Sequence, residues 1–197
     1  MNSLFTPIRL RDLEIRNRVW MPPMCQYHAT DGLPEDWHFV HYGARAAGGY
    51  GLIIAEATGI VPEGRISPAC TGLWNDEQEA AWSRIVSFVH AQGAKMGIQL
   101  NHAGRKASTI PWLPGRGDGS VREGGWETVG PSAVAQEGID PPREMTLEEI
   151  QALPGQFAAA ASRAVRADFD TVVLHGAHGY LLHQFLTPLA NHRTDEW

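Results

Sequence analysis

The chain has 197 residues, 43% of them hydrophobic, and a formal net charge of −6 with nine histidines counted neutral. That length and apolar share supply one packed core, and the lack of any basic stripe excludes nucleic acid as an expected partner. No apolar run reaches membrane-spanning length, the first residues hold no signal-peptide core, and two cysteines make no disulfide framework, so a soluble protein of a reducing cytoplasm, with no membrane partner, is expected.

In chain order, NRVWMP around Val19 is the first apolar run and reads as a strand. Roughly Asp36 to Ala47 reads as a weak helix ended by Gly48 and Gly49, and GLIIAEA around Ile53 is the second strand. Asn75 with Gln78 makes a capping-box-like start. Trp82, Ile85, Val86 and Val89 then share one helix face, and Gly93 marks the stop. KMGIQL around Ile98 is the third strand. Residues 104–145, with GRGDGS, REGG and PP, show little periodicity, and a connection this long in one domain is expected to be a functional lid. Thr146 and Glu149 open another helix with Ile150, Leu153, Phe157, Ala161 and Ala164 on one stripe. Pro154 inside it predicts a kink or a split. Asp168 stands where a left-handed glycine is expected, and TVVLH around Val172 is the fourth strand. The strands are near-continuous apolar runs, as when both faces are covered. Strand and helix alternate, which defines an α/β protein with a parallel sheet.

Ligands of such folds sit at the carboxyl ends of the strands. The first end supplies Pro22, Pro23, Met24, Cys25, Gln26 and Tyr27, the second Glu56, Ala57 and Thr58, the third Gln99 and His102, the fourth His175, His178 and Tyr180. Two prolines cannot donate to a ladder, so pairing is expected to stop at Pro22. Ala57 permits close approach of a flat ligand. Gln99 offers a donor and an acceptor to a heterocycle edge. His175 and His178 can aim two N–H groups at one oxygen, and Tyr180 is a proton donor at neutral pH. Each has a plainer reading: Cys25 as a small buried hydrophobe, Gln99 as a partner of backbone groups, Tyr180 as an aromatic plug. Cys70 reads as structural. Arg105 and Lys106 read as a solvated loop or as a grip for an anionic substrate or cofactor phosphate. His102, His175, His178 and Cys25 suggest zinc, but no carboxylate or cysteine lies at usual ligand spacing, so no metal is expected.

Five blocks in order, NRVWMPPMCQY, EAT, GIQLNHAGRKA, GPSA and HGAHGYLLHQFLTPLANHRTDEW, resemble the Old Yellow Enzymes. The branch is that of bacterial xenobiotic reductases and thermophilic-like ene-reductases. The resemblance implies a (β/α)8 TIM barrel that holds FMN, takes electrons from NADPH or NADH, and passes hydride from the flavin to the β-carbon of an activated alkene. It implies flavin contacts at Pro22, Pro23, Met24, Cys25, Ala57 and Gln99, with Cys25 tuning the potential. His175 and His178 match the pair that binds the substrate oxygen, Tyr180 the acid, and Tyr27 a substrate-pocket residue. Trp20 departs from the smaller aliphatic residue expected there, which concerns packing.

A full barrel of this kind needs roughly 250 residues or more. Residues 1–197 are therefore expected to be the N-terminal half of one FMN-binding domain, about the first four βα units, that works as a homo-oligomer or with a complementing C-terminal half. Two other readings stay open: part of an iron–sulfur enoyl- or dienoyl-CoA reductase, and a non-catalytic half-barrel that acts only by pairing.

Overall fold

A computed structural model describes residues 3–197. Its first feature is a hairpin of β1 (Ile8–Leu10) and β2 (Leu13–Ile15). The sequence gives no usual hairpin signal here. The turn is Arg11-Asp12, and Arg11 takes the left-handed conformation (φ 54°) without being Gly or Asn. The hairpin tucks Ile15 against Leu52 and Ile54, with Ile8, Leu13 and Val173 alongside. It thereby covers part of the sheet face that a lone half-barrel would expose.

The expected strand around Val19 is reduced to β3 (Trp20–Met21), and pairing ends before Pro22, where the backbone donor is lost. Helix α1 (Asp36–Ala47) follows, closed by Gly48. Then come β4 (Leu52–Gly59), α2 (Asp76–Ala91) and β5 (Lys95–Asn101). The α2 start differs in one detail from a reciprocal capping box. Asn75 Oδ1 accepts from Gln78 N–H at 2.9 Å, but the Gln78 side chain returns to Trp74 N–H at 2.8 Å.

Residues 104–145 contain a short parallel pair that the sequence did not signal, β6 (Val129–Gly130) and β7 (Arg143–Glu144). Helix α3 (Leu147–Arg166) has the full capping box, with Thr146 Oγ1 accepting from Glu149 N–H at 3.2 Å and Glu149 Oε2 accepting from Thr146 N–H at 2.8 Å. Pro154 does not split it. The proline lies on the exposed side, and the buried stripe Ile150, Leu153, Ala160 and Ala164 continues past it. Asp168 is left-handed (φ 69°), as its position demanded. β8 (Thr171–Leu174) and the short α4 (Leu181–Phe185) complete the chain's elements.

The central sheet has the order β3-β4-β5-β8, all parallel. The three long helices pack Trp82, Ile85, Val86, Val89, Ala160 and Ala164 onto one face, against Ile53, Ala55, Met96, Ile98 and Leu100. The strands carry alternate residues to the other face: Leu52 and Ile54, Gly97 and Gln99, Thr171 and Val173. A side chain at Gly97 would meet Thr171 Cγ2 at 2.6 Å and Ile54 Cδ1 at 2.7 Å, so only glycine fits. One break in register occurs between Ala55 and Ala57. Glu56 is the extra residue of a β-bulge.

Candidate active site

That bulge positions two side chains. Without it, Glu56 would share the inner face with Leu52 and Ile54. With it, Glu56 is buried on the helix side and Ala57 takes the inner position. Glu56 Oε1 lies 3.2 Å from His38 Nε2 and 3.4 Å from the Tyr42 hydroxyl, and Oε2 accepts from Gln26 N–H at 3.1 Å. His38 Nδ1 accepts from Glu35 N–H at 3.0 Å, which leaves Nε2 as the ring nitrogen beside the carboxylate. The buried carboxylate thus anchors the stretch between Cys25 and Tyr27. Tyr27 itself is left-handed (φ 55°).

Gln99 and His175 reach the inner face by plain alternation, with His175 N–H bonded to Leu100 O at 2.9 Å beyond the end of β8. A cavity of about 150 Å³ at these strand ends is lined by Pro23, Cys25, Ala57, Ile66, Gln99, His175, His178 and Tyr180. A second, of about 240 Å³, shares Ile66 and Tyr180 with it and adds Tyr27, Lys106, Trp112 and other residues of the 104–145 connection. Seven of the residues singled out from the sequence therefore line the first cavity, and Tyr27 lines the second. Pro22 and Met24 are exposed on the same segment and line neither.

Ala177 N–H donates to His175 Nδ1 at 3.3 Å, which places the His175 proton on Nε2. That N–H faces His178 Nδ1 at 3.2 Å. His178 is left with its own proton on Nε2. The pair therefore closes partly on itself and offers one free N–H instead of two, until a ligand oxygen displaces the inner contact. Burial, then the neighbouring His178, lowers the His175 pKa and keeps it neutral. His178 is left-handed (φ 55°), and this turn aims its ring back at His175. The Tyr180 ring stands edge-on to His175, 4.8 Å between centroids. Burial first, with the Cys25 and Cys70 thiols adding to it, raises the Tyr180 pKa, so the hydroxyl stays protonated. Tyr27 is raised by burial first, then by Cys25, Cys70 and Tyr180, against a backbone hydrogen bond at Trp112.

The neighbouring residues divide into braces and walls. Arg105 braces the loops: its terminal nitrogens donate to Val134 O at 3.1 Å, Leu189 O at 3.4 Å and Gln136 Oε1 at 3.4 Å. Gln184 ties the two turns below the cavity, donating to Gly179 O at 2.7 Å and Ala103 O at 3.2 Å. His102 is buried, its Nδ1 accepts from Gly104 N–H at 3.1 Å, and burial lowers its pKa to about 4. Among the described residues no three His, Cys, Asp or Glu side chains are grouped to hold an ion. Sequence reasoning missed Ile66 and Cys70 as parts of the site, and neither carries a motif. Lys106, read as a solvated loop residue or an anion grip, lines the second cavity.

A parallel α/β half-barrel with a polar cavity at its strand ends, lined by an amide, two histidines and a tyrosine, defines the class of barrel oxidoreductases that bind a flat cofactor. The chain belongs to the NADH:flavin oxidoreductase / NADH oxidase family, whose model matches residues 3–197. FMN and a nicotinamide nucleotide are that family's cofactors. The chain is 49% identical to an NADH:flavin oxidoreductase of Gibberella zeae over 99% of its own length and 48% of the relative's. It is 48% identical to an NADPH dehydrogenase of Listeria monocytogenes, over 100% of this chain and 55% of that one. Morphinone reductase superposes with a TM-score of 0.86 at 35% identity, covering 98% of this chain and 53% of that structure. An Old Yellow Enzyme from Pichia sp. AKU4542 gives 0.84 at 35% identity, over 98% and 51%. The chain thus spans about half the length of these relatives, and its fold is the N-terminal half of their TIM barrel. Among the described residues no helix is long and apolar enough to cross a membrane.

The cavity fits a flavin ring on its own chemistry. The Gln99 side-chain amide is half-buried in its wall with no hydrogen-bond partner among the described residues, and Ala57 beside it presents only a methyl group. An amide left free next to a flat approach suits a heterocycle edge with both donors and acceptors.

Proposed function

We propose that the chain forms the substrate-side half of an FMN-dependent, NAD(P)H-driven reductase of activated C=C bonds. Its substrates are enones, enals, maleimides and nitro compounds. The observation that carries this reading is one cavity wall that joins the free Gln99 amide to the His178 N–H and the protonated Tyr180 hydroxyl. Bound FMN, recharged by NADPH or NADH, supplies hydride. The chain's residues do the rest. Ala57 and Gln99 receive the ring, with the Pro22–Cys25 segment against its edge. His178, joined by His175 when the inner contact opens, holds the substrate oxygen and draws electron density from the alkene. Tyr180 gives its proton to the carbon next to the activating group. Tyr27 and the 104–145 connection, acting as a lid, wall the substrate from water.

The outer edges of β3 and β8 have no strand partner among the described residues, and such edges invite pairing. The working unit is then a barrel completed by a complementing C-terminal half or by self-association, in the cytoplasm. The test is a visible spectrum of purified protein with FMN, before and after adding a phenol, repeated with a chain that supplies the second half-barrel. Retained flavin and a new long-wavelength band on adding phenol are expected in the completed barrel. No flavin in either preparation would overturn the reading.

A further inference from the structure

Two segments of the cavity wall are joined by main-chain hydrogen bonds. Ala29 N–H donates to Ala69 O at 3.0 Å, and Gly72 N–H to Gly32 O at 2.8 Å. This joining brings the chain's two cysteines into one small cluster with Ala57, Ile66, Ala103 and Ala107. Cys25 lines the cavity. Cys70 is fully buried, its Sγ 3.2 Å from Ser67 Oγ, and the Cys25 side chain packs against the same cluster. Both sulfurs are free thiols. A reduced pair, one member facing a cavity and the other sealed behind the wall, is more than small-hydrophobe packing requires.

We propose that Cys25 and Cys70 form an oxidisable dithiol, which closes to a reversible intramolecular disulfide when hydrogen peroxide enters the cavity. The two thiols titrate as a pair. The Cys70 thiol, then burial, pushes Cys25 up. The hydrogen bonds from Cys25 and Ser67 pull Cys70 down against the opposing effect of burial. The thiolate is the reactive form, so Cys25 gives up its proton as it reacts. The Cys25 sulfur attacks a peroxide oxygen and its proton is released. The O–O bond breaks, hydroxide leaves and Cys25 becomes a sulfenic acid. Cys70, on losing its own proton, attacks that sulfur, the S–O bond breaks and the second hydroxide leaves. The protons given up by the two thiols turn both hydroxides into water. In sum, two thiols lose two electrons and two protons, and one peroxide is reduced to two waters. This goes beyond the flavin reading and does not depend on it, because no cofactor takes part.

The test counts thiols. Reduced protein is treated with hydrogen peroxide, quenched, denatured and titrated with a thiol reagent, with intact mass and a non-reducing gel alongside. Free thiols are expected to fall from two to none, with a mass loss of two hydrogens, a monomeric band and full recovery on adding dithiothreitol. In Cys70→Ser the same treatment is expected to add oxygen to Cys25 instead. Three outcomes would overturn the proposal: both thiols surviving, oxygen added to Cys25 of the native chain while Cys70 stays free, or a disulfide between two chains.

Discussion

Lys106 Nζ donates to the main-chain carbonyl of His178 at 2.7 Å, and the same ammonium lies 5.5 Å from the centroid of the Tyr180 ring. One cation therefore supports a left-handed histidine and faces the residue that would become a phenolate. Burial, then Arg105, lowers the Lys106 pKa, which reflects a partly dry setting. Replacing Lys106 by Met is expected to weaken binding of phenolic ligands by roughly tenfold or more, since hydrogen bonds to charged groups contribute about 1.5–3 kcal/mol. It should also move the alkaline limit of alkene reduction to higher pH, because the Tyr180 phenolate loses its nearby cation. A variant with native affinity and a native pH profile would show that Lys106 is a bystander.

Tyr180→Phe separates the two half-reactions. Only the oxidative half-reaction needs a proton donor, so stopped-flow traces of the completed barrel should show flavin reduction by NADPH near the native rate. Alkene reduction should slow by about 10²–10⁴, the range for loss of a general acid. Equal slowing of both steps would remove Tyr180 from the acid's role.

The histidines make an unequal pair. His178 Nε2 carries the free N–H, whereas His175 spends its own on His178. Titration with a phenol that reports through its absorption band should therefore show a larger loss for His178→Ala than for His175→Ala. The reverse order would mean that the inner contact breaks completely when ligand binds.

Acid should destabilise the fold through His102. Its folded pKa, about 4, lies below the ordinary 6.5 because burial disfavours the charged ring. Between those values the unfolded chain holds a proton that the folded chain does not, so stability falls as pH drops from about 6.5 to about 4. The limiting loss from this one group is on the order of 3 kcal/mol. Urea unfolding at pH 7 and pH 4.5 measures it. His102→Asn, which keeps an acceptor near Gly104 N–H, should flatten that part of the profile.

Much of this was legible because strands keep parity. Gln99 and His175 are where period-two counting puts them, and the Pro22-Pro23 pair ends β3 where the missing donor requires. Asp168 adopts the conformation its position asked for. The misreadings have local causes. Arg11-Asp12 turns a hairpin without the usual residues, so β1 and β2 gave no signal. Pro154 keeps its ring on the exposed side, so the helix tolerates it. The meeting of Cys25 and Cys70 in one cluster depends on two loops joining, and no local pattern records that.

The extra residue at Glu56 has a consequence beyond the site. It works as a three-dimensional frameshift: upstream and downstream halves of β4 read in opposite phase, inside against outside. Deleting Glu56 would restore plain alternation and leave Ala57 on the inner face opposite Gln99, but the segment before Tyr27 would lose its anchor. Straightening the strand with Glu56 kept would instead bring Glu56 and Thr58 to the inner face and turn the Ala57 methyl away from the cavity. Along this strand, the number of residues is as much a determinant of chemistry as their kind.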